Sequence, residues 1–259
     1  MIIKCVWEHN GNDTLLYAVN LPGAYTRGEN RDAAVEKMER EARSYLAWKG
    51  EAVPDELSVE IVQDAACGLD VCDADSDVLF TAEREPLSME EYQEQKALAL
   101  KSAADFYAQY QSVPDRLKSN APMRRTFYGQ VPRTAEEMYR HTRNVNEYYF
   151  GEIGVEADNE GTIIDCRRRG FEVLEQKPDF LDNRVFEGSY GECWTLRKVL
   201  RRFIWHDRIH ARAMYRMAVK TFGREAIPDV YSFDAVRCFI SAGNEPDSVP
   251  ASSEGQAGS

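Results

Sequence analysis

The sequence has no run approaching the ~20 consecutive apolar residues of a membrane-spanning helix. It shows no arginine-rich or signal-like leader either: Met1 is followed by a short apolar patch, Ile2, Ile3, Cys5, Val6 and Trp7. A cytoplasmic protein with no membrane partner is therefore expected. Cysteine is sparse, and its six positions, 5, 67, 72, 166, 193 and 238, form neither a CxxC pair nor a disulfide framework. Cys67 and Cys72 share the acidic stretch ACGLDVCDADSD but lack redox spacing, so free thiols are the plainer reading. Positive charge is outnumbered, 32 basic to 44 acidic side chains, for a net charge of -12. That balance serves solubility and repels a phosphate backbone, so nucleic acid is not an expected partner. Histidine is scarce too, with four residues in 259, which makes their placement informative.

A chain of this length with 43% hydrophobic residues can build one large domain or two small ones, and two are expected. Through residues 1–65, IIKCVWEH and TLLYAVNL read as strands, Pro22-Gly23 as a turn, Arg31 to Trp48 as a helix and LSVEIVQ as a returning strand. Ala34, Met38, Ala42 and Leu46 have the spacing of a stripe laid across a sheet. The segment YAVNLPGAYTRGENRDAAVEKMEREARSYL resembles the HicB-like fold, which implies a small α+β domain. HicB antitoxins carry a separate DNA-binding element; no helix-turn-helix or ribbon adjoins this unit, so repressor function is not expected.

Residues 66–87 are acidic and loop-like apart from Val78 to Phe80, and are expected to link this unit to a helical part spanning 88–243. Ser88-Met89-Glu90-Glu91 has capping-box spacing and opens a helix to about Gln111. Thr134-Ala135-Glu136-Glu137 repeats the signature for a second helix ending near Gly151. Thr162 to about Gln176 is the third candidate, and Trp194-Thr195 opens a fourth that runs to Phe222 and meets Gly223 as its cap. Four helices with polar connections suggest a bundle. The fold class expected is thus α+β, a small HicB-like unit followed by a four-helix bundle. The last stretch, 244–259, is almost devoid of apolar side chains and is expected to be disordered.

In the fourth helix Leu196, Val199, Phe203, His206, His210, Ala213 and Met217 recur at steps of three and four, an inward stripe that carries two histidines. Arg197, Arg201, Arg208 and Arg212 fall mostly on other faces, where a solvated surface is the plainer expectation and a contact with the N-terminal unit or an anion the alternative. In the second helix Met138, His141, Val145 and Tyr148 form a similar stripe. A buried imidazole needs a hydrogen-bond partner or a metal, and three on facing helices, two of them at i and i+4, favour a shared ion. His141, His206 and His210 are the candidate ligands.

The segments TAEEMYRHTRNVNEYYFGEI and ECWTLRKVLRRFIWHDRIHARAM resemble the DinB-like family of four-helix bundles, over about residues 88 to 225. The family places one histidine on its second helix and an H-x-x-x-H pair on its last. The resemblance thus implies a three-histidine site at His141, His206 and His210 for a divalent metal, Zn or Ni. It also implies thiol chemistry, since characterised relatives include thiol transferases and a thiol-dependent isomerase. The expected partners are then a small-molecule thiol and an electrophile, and a homodimer is compatible with the reading. The rival expectation is a non-enzymatic ligand- or protein-binding module in which the metal is structural.

A zinc-protease reading of HDRIH is disfavoured. Asp207 is one methylene shorter than the glutamate of HExxH, and the best third histidine lies upstream rather than after the helix. Asp207 is expected to orient a neighbour or bind an arginine at the helix surface, and Tyr139, Tyr148 and Tyr149 are nearby candidates for supporting roles.

Overall fold

The computed structural model of the protein describes residues 1–126 and 129–234. The disordered tail expected at 244–259 lies outside them, as does the end of the helical part beyond 234.

Strands β1 (Ile2–Asn10) and β2 (Asp13–Ala18) form a hairpin. Its two-residue turn is led by Gly11 at φ 60, the position where a tight hairpin turn favours glycine. Strand β3 (Tyr25–Gly28) pairs with β2, and helix α1 (Arg31–Lys49) follows. The Asn30 side chain caps α1 by accepting from the Ala33 amide, and Gly50, left-handed at φ 79, ends it. Strand β4 (Ser58–Ala66) returns parallel to β1, giving a four-stranded sheet in the order β3-β2-β1-β4.

Period-two alternation divides the sheet's side chains between two layers. Ile3, Cys5, Leu16 and Ala18 join the α1 stripe Ala34, Met38, Ala42 and Leu46 in the main core. Leu15, Tyr17 and Tyr25 face the other way. The nearby register shift lies in β4, where Val62 is the extra residue between the partners of Cys5 and Val6, and Val6, one residue after Cys5 and opposite Tyr17, alternates to that second layer too. There they meet Val71, Val78 and Phe80, so residues 66–87 are more than a connection: they cover the sheet's second face.

Beyond them lie α2 (Met89–Ser112), α3 (Ala135–Arg143), α4 (Val145–Gly151), α5 (Ile163–Leu174) and α6 (Leu196–Phe222). Two short ribbons, β5 (Arg125–Thr126) with β6 (Gly129–Gln130) and β7 (Phe186–Glu187) with β8 (Cys193–Trp194), lie in the connections. The capping boxes at Ser88 and Thr134 form as their spacing predicts, and Thr162 with Asp165 makes a third. The expected second helix is broken: Asn144, with ψ near -6, separates α3 from α4. Just past the break, buried Asn146 donates to the carbonyls of Asp158 and Cys166, bonds that tie α4 to α5 and its leading loop.

The sheet unit and the helices share one continuous core. Trp48 of α1 stacks on Tyr231 and donates from Nε1 to Asp105 of α2 at 2.7 Å. Trp205 of α6 meets Tyr17 and Tyr25 edge-on, with ring centroids 5.9 and 6.2 Å apart. Gly23 takes φ 92, and a Cβ there would sit 2.5 Å from Ile204 Cγ2 and 2.9 Å from the Trp205 amide nitrogen. Gly23→Ala is therefore expected to destabilise by roughly 2 kcal/mol or more, from left-handed strain plus a clash with backbone. A chemical denaturation midpoint equal to wild type would refute this docking of the turn on α6.

The arginines of α6 correct the solvated-surface expectation. Arg201 is buried and forked onto Glu83, and Arg208 is buried with its Nη2 2.9 Å from Glu41. Arg212 also pairs with Glu41, and Arg197 donates to the carbonyls of Glu85 and Pro86. The alternative, a contact with the N-terminal unit, is what Arg208 and Arg212 make. Ala213, assigned to the inward stripe, is exposed, whereas Leu196, Val199, Phe203, His206 and Met217 are buried. No helix among the described residues is long and apolar enough to cross a membrane.

Candidate metal centre

Helix α6 carries His206 and His210 one turn apart, and α3 packs against it to bring His141 opposite. The ring centroids form a triangle: His141 to His206 5.1 Å, His141 to His210 4.6 Å, and His206 to His210 4.5 Å. One ring nitrogen from each lies within 4.8 Å of the others, close enough to hold one metal ion. Ligands ~2.0–2.1 Å from a common ion stand at most about 4.2 Å apart, so a small ring adjustment completes the set.

Burial is graded across the triangle. His206 is buried, His210 half-buried and His141 exposed, so the site has a closed floor and an open side. This corrects the inward placement of His141 and Tyr148. The buried side of α3 and α4 carries Met138, Tyr139, Thr142, Asn146 and Tyr149 instead, and His141 sits at its rim. Burial pushes the His206 and His210 imidazoles below their ordinary range, His210 down to about 3, and neighbouring rings add to both shifts; His141, at the rim, is lowered by the partial desolvation of its ring against the other two. They are neutral at physiological pH and keep free lone pairs. His206 Nδ1 is buried without a hydrogen-bond partner, an arrangement that costs ~1–3 kcal/mol unless something binds it. A neutral, partly unsatisfied three-imidazole set fits a metal ion.

Asp207 is not at this site. It is fully buried, and its two oxygens accept from Arg167 Nη1 and Nη2 at 2.6 and 3.1 Å. Arg167 also donates to the Ala99 carbonyl, which locks α5 and α6 onto α2. Asp207 does bind an arginine, but in the core rather than at the helix surface, and both oxygens are occupied, so it offers no general base. Of the three tyrosines, Tyr149 alone stands against a ligand, its ring 6.0 Å from His206 and nearly perpendicular to it. Tyr139 stacks on Tyr110 and accepts from the Ile163 amide, and Tyr148 packs on Trp194. No protein-family model, curated protein or solved structure matches the chain.

Sequence reasoning passed over Arg202. It lies one turn before His206, in the row Arg202, His206, His210, and is buried among Trp205, Tyr149 and Trp194. The i, i+4, i+8 spacing was the signal that could have found it.

Proposed function

We propose that the helical part is a DinB-like metal centre in which His141, His206 and His210 hold one Zn or Ni ion, and that it serves a thiol-dependent transferase. The observation that carries this reading is the convergence of three neutral imidazoles from two helices, open on the His141 side. Three ligands leave a coordination position free, and a bound divalent ion would supply stabilisation of a thiolate there. His206 and His210 anchor the floor from one rigid helix, while His141 closes the triangle from α3. Tyr149 and Trp205 flank His206. The N-terminal sheet with α1 is read as a HicB-like unit serving as a scaffold, because its docking on α6 fixes the helix that bears two ligands.

A second reading, a binding module whose metal is structural, is favoured by one observation: the carboxylate nearest in sequence, Asp207, is consumed by Arg167. Metal analysis of protein prepared without a histidine tag separates the cases. About one Zn or Ni per chain is expected, lost in His141→Ala; no metal in the wild type, or unchanged metal in the variant, sinks the shared site. A panel of low-molecular-weight thiols and electrophiles then tests transfer, and an absence of metal-dependent conjugation across the panel favours the binding module.

A further inference from the structure

Four arginines are buried among the described residues: Arg167, Arg201, Arg202 and Arg208. Three of them donate to carboxylates, Arg167 to Asp207, Arg201 to Glu83 and Arg208 to Glu41. Arg202 donates to none. Its Nε and Nη1 are buried without partners, and the nearest carboxylate oxygen, Glu192 Oε1, is 3.8 Å from Nη2. That oxygen is held more closely by Lys198 Nζ, at 2.9 Å. Asp75 and Glu8 are further acids within reach of the Arg202 charge, and Glu8 turns its Oε1 to the backbone amides of Asp77 and Val78 instead.

The guanidinium is nevertheless positioned. It lies 4.6 Å from the Trp205 ring centre, 5.6 Å from Trp194 and 5.7 Å from Tyr149, three rings that restrict its motion without using its N–H groups. Tyr149 and Trp205 also contact His206, so both aromatic walls run from the guanidinium to the metal centre. A buried cation with idle donors is costly, and an incoming anion would remove the cost. Glu8 and Glu192 stand nearby and would repel a dianion, which favours a singly charged, planar group over a phosphate.

We propose that Arg202 is the recognition site for a carboxylate on the ligand of the metal centre, so that the protein takes thiols that also carry a carboxylate. The proposal rests on the thiol reading above for the identity of the ligand, though not for the anion site itself. Arg202 holds the carboxylate while the sulfur end reaches the open side near His141. Recognition is non-covalent, and no bond is made or broken by Arg202.

Titrations of the full chain loaded with Co²⁺ test this, using 3-mercaptopropionate and 2-mercaptoethanol as probes and the thiolate absorption band as readout. The carboxylate thiol is expected to bind about 10-fold more tightly than the neutral one. Arg202→Gln is expected to bring the two within about 2-fold of each other, while Arg202→Lys retains part of the preference. Equal wild-type affinities, or a preference that survives R202Q, overturn the proposal. If neither thiol perturbs the spectrum, the thiol reading fails on its own, and propionate decides the anion site. A melting-temperature rise with propionate in wild type and in R202K, absent in R202Q, supports the site, and no rise in the wild type overturns it.

Discussion

Glu41→Ala is expected to be among the most destabilising single substitutions in this chain, at about 3–5 kcal/mol. Glu41 is buried on α1 and accepts from Arg208 and Arg212 of α6, two guanidiniums 167 and 171 residues further along the chain. Removing the carboxylate leaves Arg208, itself buried, with its charge uncompensated beneath Tyr45 and Trp48. For a chain of this size the loss amounts to a fall in melting temperature of roughly 6–20 °C. A fall below about 2 °C would show that the pair contributes little to joining the sheet to the helices. Burial alone would raise the Glu41 pKa, but Arg212 and Arg208 together outweigh it and the net shift is downward. The sign follows: the contribution is present above the ordinary glutamate range near ~4.3 and disappears as pH falls through the depressed value. Wild type and Glu41→Ala should therefore converge in stability in strong acid.

Metal loading is expected to produce the other large effect, in the opposite direction. An ion that binds the folded chain and not the unfolded one stabilises it by about 2.7 kcal/mol at 100 times Kd, a rise of roughly 5–11 °C in melting temperature. His206→Ala should abolish this increment while sparing the capped helices, and a full Zn²⁺-dependent rise in that variant would refute the site. The pH dependence is specific. All three imidazoles have lowered pKa values, and His206 and His210 stay neutral in the folded chain well below ~6.5 while the unfolded chain takes up protons there. Stability of the metal-free protein is thus present above ~6.5 and is lost as pH falls toward the depressed values. Metal affinity of the folded protein should change little between about pH 7.5 and 6, because His206 and His210 take up no proton in that window. A tenfold loss of Zn²⁺ affinity over that interval, measured by competition with a chromophoric chelator, would mean that the imidazoles titrate as ordinary exposed histidines.

Features governed by neighbouring residues were legible in the sequence. The boxes at Ser88 and Thr134 start α2 and α3 where their spacing places them, and Gly50 and Gly223 follow the helices they end. Each depends on bonds spanning a few residues, and side-chain chemistry alone decides those. The pair His206 and His210 belongs to this class, since helical periodicity puts both on one face. The break at Asn144 was not legible. Nothing in NVNEYY forbids a helix, and Asn146 is drawn to carbonyls, at Asp158 and Cys166, that exist only once α5 has packed.

Charged residues show the same division most sharply. Arg201 and Arg208 have the spacing of a solvated helix face, and only the approach of Glu83 and Glu41, 118 and 167 residues away, makes their burial tolerable. Asp207 was misplaced at the surface for the same reason, because Arg167 reaches it from a different helix. By itself the sequence determined the helices, their caps, the sheet unit and three histidines at positions suited to share an ion. Only the tertiary structure decided that His141 sits at an open rim, that Arg202 beside His206 donates no hydrogen bond to a carboxylate, and that the helix surface facing the sheet is charged yet buried. Local hydrogen bonds and periodicity act over a few residues, whereas burial and ion pairing depend on which distant segments the packed core brings together.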